Sequence, residues 1–241
     1  MRISILVYRA LRSLHNNGIG ETCRRAGQYL IARGFFRRSP ENSFDLEHHT
    51  DTGGVSPVWE LDTDTANARF AERYQAVSTD RLQAALDFLG QDWSNFTFID
   101  LGCGKGRALI AASEHGFARI IGVEFAKSLV DIARKNCELT GTTAEVRHED
   151  AARFEFPTGN LLVFMYNPFR GQVMRQVIEN LARHSGGKLY LLYYRPEEMA
   201  IIDERTDFLA KIGAIPTAQE FCAWQGADSK CSIVSRGSGR G

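Results

Sequence analysis

From Phe96 onward the chain alternates short β-rich runs with helical segments, and that alternation limits the fold more than any other feature. Phe96-Thr97-Phe98-Ile99-Asp100 is a β-rich run that ends in glycines. Arg107 to His115 reads as a helix stopped by Gly116, Arg119 to Glu124 as a strand, and Ala126 to Leu139 as a helix closed by Gly141. Ala144 to His148 is a weaker strand and Leu161 to Tyr166 a strong buried one, followed by a helix over Gln172 to Ala182 and a strand over Lys188 to Tyr194. Strands joined through helices of this length run parallel, with helices covering both faces of the sheet. The spacing predicts an α/β fold: a Rossmann-like, doubly wound, mostly parallel seven-stranded sheet with an N-terminal helical extension. Phe221 to Trp224 and Lys230 to Ser235 are expected to add an antiparallel hairpin.

A chain of 241 residues can bury a sizeable core without staples. Residues 1–35 read as one or two amphipathic helices, and residues 37–65, rich in Ser, Pro, Gly, Asp and Thr, as a loop or arm. A helical face over Thr79 to Leu89 presents Leu82, Ala85, Leu86 and Leu89. The expected organisation is a basic helical and loop extension over 1–65, a catalytic domain over 66–235 and a disordered tail over 236–241. Lys+Arg and Asp+Glu balance at 29 each, so global charge gives no case for nucleic acid. Residues 1–40 depart from that balance, with Arg2, Arg9, Arg12, Arg24, Arg25, Arg33, Arg37 and Arg38 against the single acid Glu21. Such a segment suits contact with an anionic surface, whether lipid, RNA or an acidic partner. No apolar run is long enough to span a membrane, and Ile3 to Val7 is too short for a signal core. The five cysteines are scattered and form no C-x-x-C pair, and the histidines add no ligand spacing. A cytoplasmic, metal-free protein is expected, with peripheral membrane contact left open.

In a doubly wound sheet, ligands sit at the carboxyl ends of the strands where the strand order reverses. There the chain reads Asp100-Leu101-Gly102-Cys103-Gly104-Lys105-Gly106. A dinucleotide site reads G-x-G-x-x-G and cradles a pyrophosphate. Asp100 would repel that pyrophosphate but suits a cationic ligand such as a sulfonium amino acid. Glu124 ends the next strand, where an acid accepts hydrogen bonds from ribose hydroxyls. Asp150, followed by Ala151, ends the third, where a carboxylate can read an adenine amino group.

These residues resemble motif I of class I S-adenosylmethionine-dependent methyltransferases, from Phe98 through Arg107, and the likeness continues through Gly122-Val123-Glu124 and Asp150-Ala151. The resemblance covers roughly residues 70–200. It implies S-adenosyl-L-methionine as cofactor, with Asp100 and the amides of Gly102, Cys103, Gly104 and Gly106 facing the methionine part, Glu124 the ribose, and Asp150 and Ala151 the adenine. His148-Glu149-Asp150 departs from the pattern, since many members have a glycine before the aspartate.

The strand ending in Tyr166-Asn167-Pro168-Phe169 is the second informative motif. It resembles the Asn/Asp-Pro-Pro-Tyr/Phe signature of N-methyltransferases, with one proline in place of two. Asn167, at the cofactor edge, is expected to accept N–H bonds from an amine or amide, and Phe169 to form a wall by cation–π contact. Together with Asp51-Thr52-Gly53-Gly54 and Arg73-Tyr74, the motifs are similar to those of bacterial methyltransferases named for their likeness to non-SET lysine methyltransferases. That similarity implies a nitrogen acceptor, a protein lysine being one candidate, and Tyr74 is expected to close over the cofactor or acceptor. Tyr166, Tyr193 and Tyr194 are the candidates for removing an ammonium proton. The alternatives are a small-molecule or nucleic-acid N- or O-methyltransferase, a dinucleotide-dependent oxidoreductase, and a noncatalytic cofactor-binding adapter. The D-x-G-x-G-x-G spacing and Asn167-Pro168-Phe169 argue against the oxidoreductase.

Overall fold

The computed structural model describes residues 41–56, 67, 70–218 and 220–226. The basic cluster at 1–40, Lys230 to Ser235 and the tail at 236–241 lie outside the described residues. In chain order the elements are α1 (Glu41–His48), β1 (Val55–Ser56), β2 (Tyr74–Gln75), α2 (Thr79–Leu89), β3 (Phe96–Leu101) and α3 (Arg107–Ser113). Then follow β4 (Arg119–Glu124), α4 (Lys127–Thr140), β5 (Glu145–His148), β6 (Asn160–Tyr166) and α5 (Gly171–Ala182). The last are β7 (Leu189–Tyr194), α6 (Met199–Asp203), β8 (Leu209–Ala214) and β9 (Phe221–Gly226).

Seven strands form one sheet in the order β5-β4-β3-β6-β7-β9-β8. The first five are mutually parallel, and β9 pairs antiparallel with both β7 and β8. This is the expected doubly wound sheet. Its central strands are apolar at almost every position because both faces are covered. Phe98, Phe164, Tyr190 and Leu192 pack on one side with Leu82, Leu86, Leu109, Val130 and Ala133. On the other side Ile99, Leu101, Val163, Met165 and Leu191 pack with Val173, Val177, Ile178 and Leu181 of α5.

Two expectations are corrected. The hairpin partner of β9 is β8, which lies before it in the chain and carries a register irregularity between Lys211 and Gly213. Its exposed and half-exposed residues, with a glycine inside, hide it as an edge strand. Residues 41–48 form a helix rather than a loop, and residues 43–56, assigned to the extension on sequence, belong to the compact unit Ser43–Gly241. Strand order reverses between β3 and β6, and the loops leaving those two strands meet at the carboxyl edge of the sheet.

Candidate active site

The glycine loop begins at Gly102, whose N–H, with that of Cys103, bonds back to the Val123 carbonyl at the end of β4. Gly102 and Gly104 have positive φ angles of 83° and 53°, a region that favours glycine. Both are also crowded. A Cβ on Gly102 would stand 2.5 Å from Pro168 Cβ, and one on Gly104 2.2 Å from the Tyr74 ring. The Cys103 sulfur packs beneath Gly122, and Gly106 lets Ala133 of α4 approach.

Asp100 and Glu124 are buried at 3% and 4% exposure. The Glu124 carboxylate is held by the backbone N–H groups of Gly104, to Oε2 at 3.0 Å, and Ala126, to Oε1 at 2.9 Å. Burial nevertheless pushes its pKa up to about 7. Asp100 has no donor or cation against it among the described residues, and burial, then the neighbouring Glu124, holds it well above the usual carboxylate range. Two deeply buried carboxylates side by side make a site that a cation would complete.

A cleft opens over this edge of the sheet. Gly102, Glu124, Phe125, Leu129, Asp150 and Ala151 line it together with Glu72, Tyr74, Tyr166, Pro168, Phe169 and Val173. At one end Asp150 Oδ1 caps the Ala151–Arg153 turn through the Ala152 N–H, and its Oδ2 accepts from Asn67 Nδ2 at 2.8 Å. The segment from Phe70 to Gln75 then crosses the strand-end loop. The Glu72 N–H bonds the Pro168 carbonyl and the Arg170 N–H the Phe70 carbonyl, both at 3.0 Å. Tyr74, the ring over Gly104, donates its hydroxyl to the Thr52 carbonyl.

Asn167 is placed differently from the expectation. At φ 38° it adopts the left-handed conformation that asparagine tolerates, and its Oδ1 accepts from the Tyr193 hydroxyl at 3.0 Å. It does not line the cleft; Pro168 and Phe169 do. Tyr166 lines the cleft, accepts from Arg195 at 3.0 Å and is pushed up to about 12 by burial. Tyr193 and Tyr194 are also raised, chiefly by burial. The three tyrosines are therefore neutral phenols, unsuited to take a proton near neutrality.

The contacts that tie the loop to residues 43–56 were not expected from the sequence. Arg107 Nε donates to Thr52 Oγ1 at 2.7 Å, and Lys105 Nζ donates to Asp51 Oδ1 and the Gly53 carbonyl, each at 2.9 Å. Asn136 of α4, 2% exposed, donates to the carbonyls of Asp51 and Lys105 and accepts from the Asp51 N–H. An asparagine among Leu129, Val130, Ala133 and Cys137 on a core-facing stripe was the available signal, because a buried amide needs partners. Among the described residues no group of His, Cys, Asp or Glu is arranged to hold a metal ion.

Residues 98–186 match the family model for a methyltransferase domain. Fold, site and this match define an S-adenosylmethionine-dependent methyltransferase. Its cofactor is accordingly S-adenosyl-L-methionine. No curated protein matches the sequence. Similar solved structures include the ribosomal protein L11 methylase of Lactobacillus delbrueckii subsp. bulgaricus, at 15% identity over 61% of this chain and 78% of that one, with a TM-score of 0.46. Magnesium protoporphyrin IX methyltransferase of Synechocystis PCC 6803, solved with bound cofactor, is 14% identical over 61% and 79%, with a TM-score of 0.46. Phosphoethanolamine N-methyltransferase 1 of Haemonchus contortus is 13% identical over 67% of this chain and 44% of that one, with a TM-score of 0.49. At these levels the neighbours say nothing about this chain's acceptor.

Proposed function

We propose that Glu124 receives the ribose hydroxyls, Asp100 and the Gly102–Gly106 loop the methionine part, and Asp150 with Asn67 the adenine, and that the methyl group passes to a nitrogen acceptor. The observation that carries the nitrogen reading is the end of the cleft beside β6. There Tyr166, Phe169 and Glu72 all line the cleft, with the Glu72 N–H held by the Pro168 carbonyl and its carboxylate paired with Arg170. Aromatic faces with a carboxylate suit an ammonium or amine. A protein lysine is one acceptor of that kind.

Bound S-adenosylmethionine supplies a sulfonium methyl that is already activated for displacement. The residues of the chain then have to orient the nitrogen and free its lone pair. Glu72, raised above an ordinary glutamate by burial despite its ion pair with Arg170, is placed to take the ammonium proton. Asn167 acts from behind, bracing the loop against Tyr193.

Labelled-methyl transfer into a lysate tests the acceptor. After hydrolysis, the label is expected in N-methylated amines or amino acids, and Glu72→Gln is expected to lower turnover by roughly 10²-fold or more while sparing cofactor affinity. Label recovered in methyl esters or methyl ethers would sink the nitrogen reading.

A pH dependence follows from Glu124. Its folded pKa of about 7 lies above the reference of 4.5, so in the empty protein its favourable contribution is complete below about pH 4.5 and lost as the pH rises through about 7. Ribose hydroxyls donate to the ionised form, so cofactor affinity runs the opposite way. S-adenosylhomocysteine is expected to bind more weakly at pH 6 than at pH 8, releasing about half a proton at pH 7 and a larger fraction at pH 6. Calorimetry in two buffers of different ionisation enthalpy measures that release, and proton-neutral binding at pH 7 would refute it.

A further inference from the structure

The loop that faces a cationic cofactor itself carries two cations, Lys105 and Arg107. Like charges at short range oppose binding, and more strongly where water is excluded. Each of the two is met by an aspartate from residues 43–56. Lys105 Nζ lies 2.9 Å from Asp51 Oδ1, and Arg107 Nη2 lies 3.6 Å from Asp45 Oδ2. The second pair is the more buried, with side-chain exposures of 4% for Arg107 and 16% for Asp45, against 12% for Lys105 and 71% for Asp51.

Asp45 is also the best fixed of the four. Its Oδ1 accepts from the Thr52 N–H at 2.8 Å and from the hydroxyls of Thr50 and Thr52 at 2.9 and 2.6 Å, and its Oδ2 accepts from the Gly53 N–H at 2.7 Å. The Asp51-Thr52-Gly53-Gly54 motif is thus wound around one carboxylate. Lys105 Nζ lies 5.8 Å from the centre of the Tyr74 ring, Arg107 is bonded to Thr52, whose carbonyl accepts from the Tyr74 hydroxyl, and Tyr74 lines the cleft. The pairs therefore stand within electrostatic reach of the cofactor site.

We propose that Asp45 and Asp51 are charge-balancing positioning residues, which cancel Arg107 and Lys105 and so set the preference for cationic S-adenosylmethionine over its neutral product, S-adenosylhomocysteine. The proposal rests on the cofactor assignment above. It gives residues 43–56 a part in turnover, because they limit product inhibition without touching either ligand. Acting through Arg107 and Lys105, the aspartates weigh only on the sulfonium charge, since the two ligands otherwise share every recognised group.

The ratio of dissociation constants for the two ligands, measured by calorimetry on the full chain, tests this. Asp45→Asn keeps the side chain's shape and removes one negative charge beside Arg107. At an effective dielectric of about 20, it is expected to weaken S-adenosylmethionine roughly tenfold more than S-adenosylhomocysteine. Asp51→Asn, at an exposed pair, is expected to shift the ratio about twofold, and less at high salt. Lys105→Met removes a cation and is expected to move the ratio the other way, in favour of S-adenosylmethionine. Equal weakening of both ligands by Asp45→Asn would reduce the segment to a brace and overturn the proposal. If Asp45→Asn does not fold, Lys105→Met decides alone, and an unchanged or reversed ratio overturns it. Failure of the unmodified protein to bind either ligand would instead strike at the cofactor assignment.

Discussion

Replacing Gly104 by alanine is expected to weaken S-adenosylhomocysteine binding about 100-fold, while the protein still folds. Two costs combine. The residue sits at φ 53°, where a side chain costs about 1–2 kcal/mol. Its new Cβ would also stand 2.2 Å from two carbons of the Tyr74 ring, an overlap relieved only when the ring or the loop moves, typically at about 1–3 kcal/mol. Either movement disturbs the cleft, because Tyr74 lines it and the Gly104 N–H holds Glu124. The second site isolates the steric part. Adding Tyr74→Ala to Gly104→Ala is expected to recover part of the lost affinity, although the backbone strain remains. Calorimetry on the two single variants and the double measures the coupling. Additive losses would mean that Tyr74 does not close on the loop in the bound state, and with that the covering role assigned to it falls.

That result would bear on a residue for which only a motif likeness spoke, and the contrast with the glycine loop shows where sequence stops being informative. The central strands were legible because a parallel strand buried on both faces is a continuous apolar run. The placing of Asp100, Glu124 and Asp150 at or just past three strand ends was legible because fold topology brings those ends together. β8 was not: it is a half-exposed edge strand with Gly213 beside its irregularity, and its composition does not separate it from a loop. The helix at 41–48 is nearly as polar as a loop, and what holds the segment is one carboxylate accepting from Thr50, Thr52 and Gly53.

The ties to residues 43–56 were harder still, since Arg107 and Thr52 are 55 residues apart and Asn136 and Asp51 are 85. No local periodicity announces such pairs. A buried charge or amide reveals only that a partner exists, not where. Asn167 fails for a different reason. Its place in the motif is plain from the residues around it, but its orientation depends on a left-handed backbone and on Tyr193 of the neighbouring strand. A side chain's direction at such a bend is set by tertiary contacts.

Glu124→Gln is expected to produce the largest loss, with S-adenosylhomocysteine bound at least 100-fold more weakly at pH 8, a factor of about 100 being roughly 2.7 kcal/mol. Both carboxylate oxygens accept from backbone N–H groups. Glutamine can offer one acceptor, and its NH₂ must then face the other N–H. The ligand also loses a charged acceptor, and a hydrogen bond to a charged group contributes about 1.5–3 kcal/mol. Stability is expected to respond differently. Ionising Glu124 in the empty fold costs roughly 3 kcal/mol relative to the protonated form, given its elevation from 4.5 to about 7. The variant escapes that cost, so its melting temperature should fall less between pH 5 and pH 8 than that of the unmodified protein. Asp100 should follow, because Glu124 is the neighbouring charge that raises it; without that charge it ionises at lower pH. A variant that binds poorly yet keeps its stability toward pH 8 would mark Glu124 as a residue retained for its ligand at the expense of the empty fold. A variant that loses stability at every pH in parallel with affinity would instead make Glu124 a structural tie between the loop and α4, and the ribose assignment would have to move elsewhere.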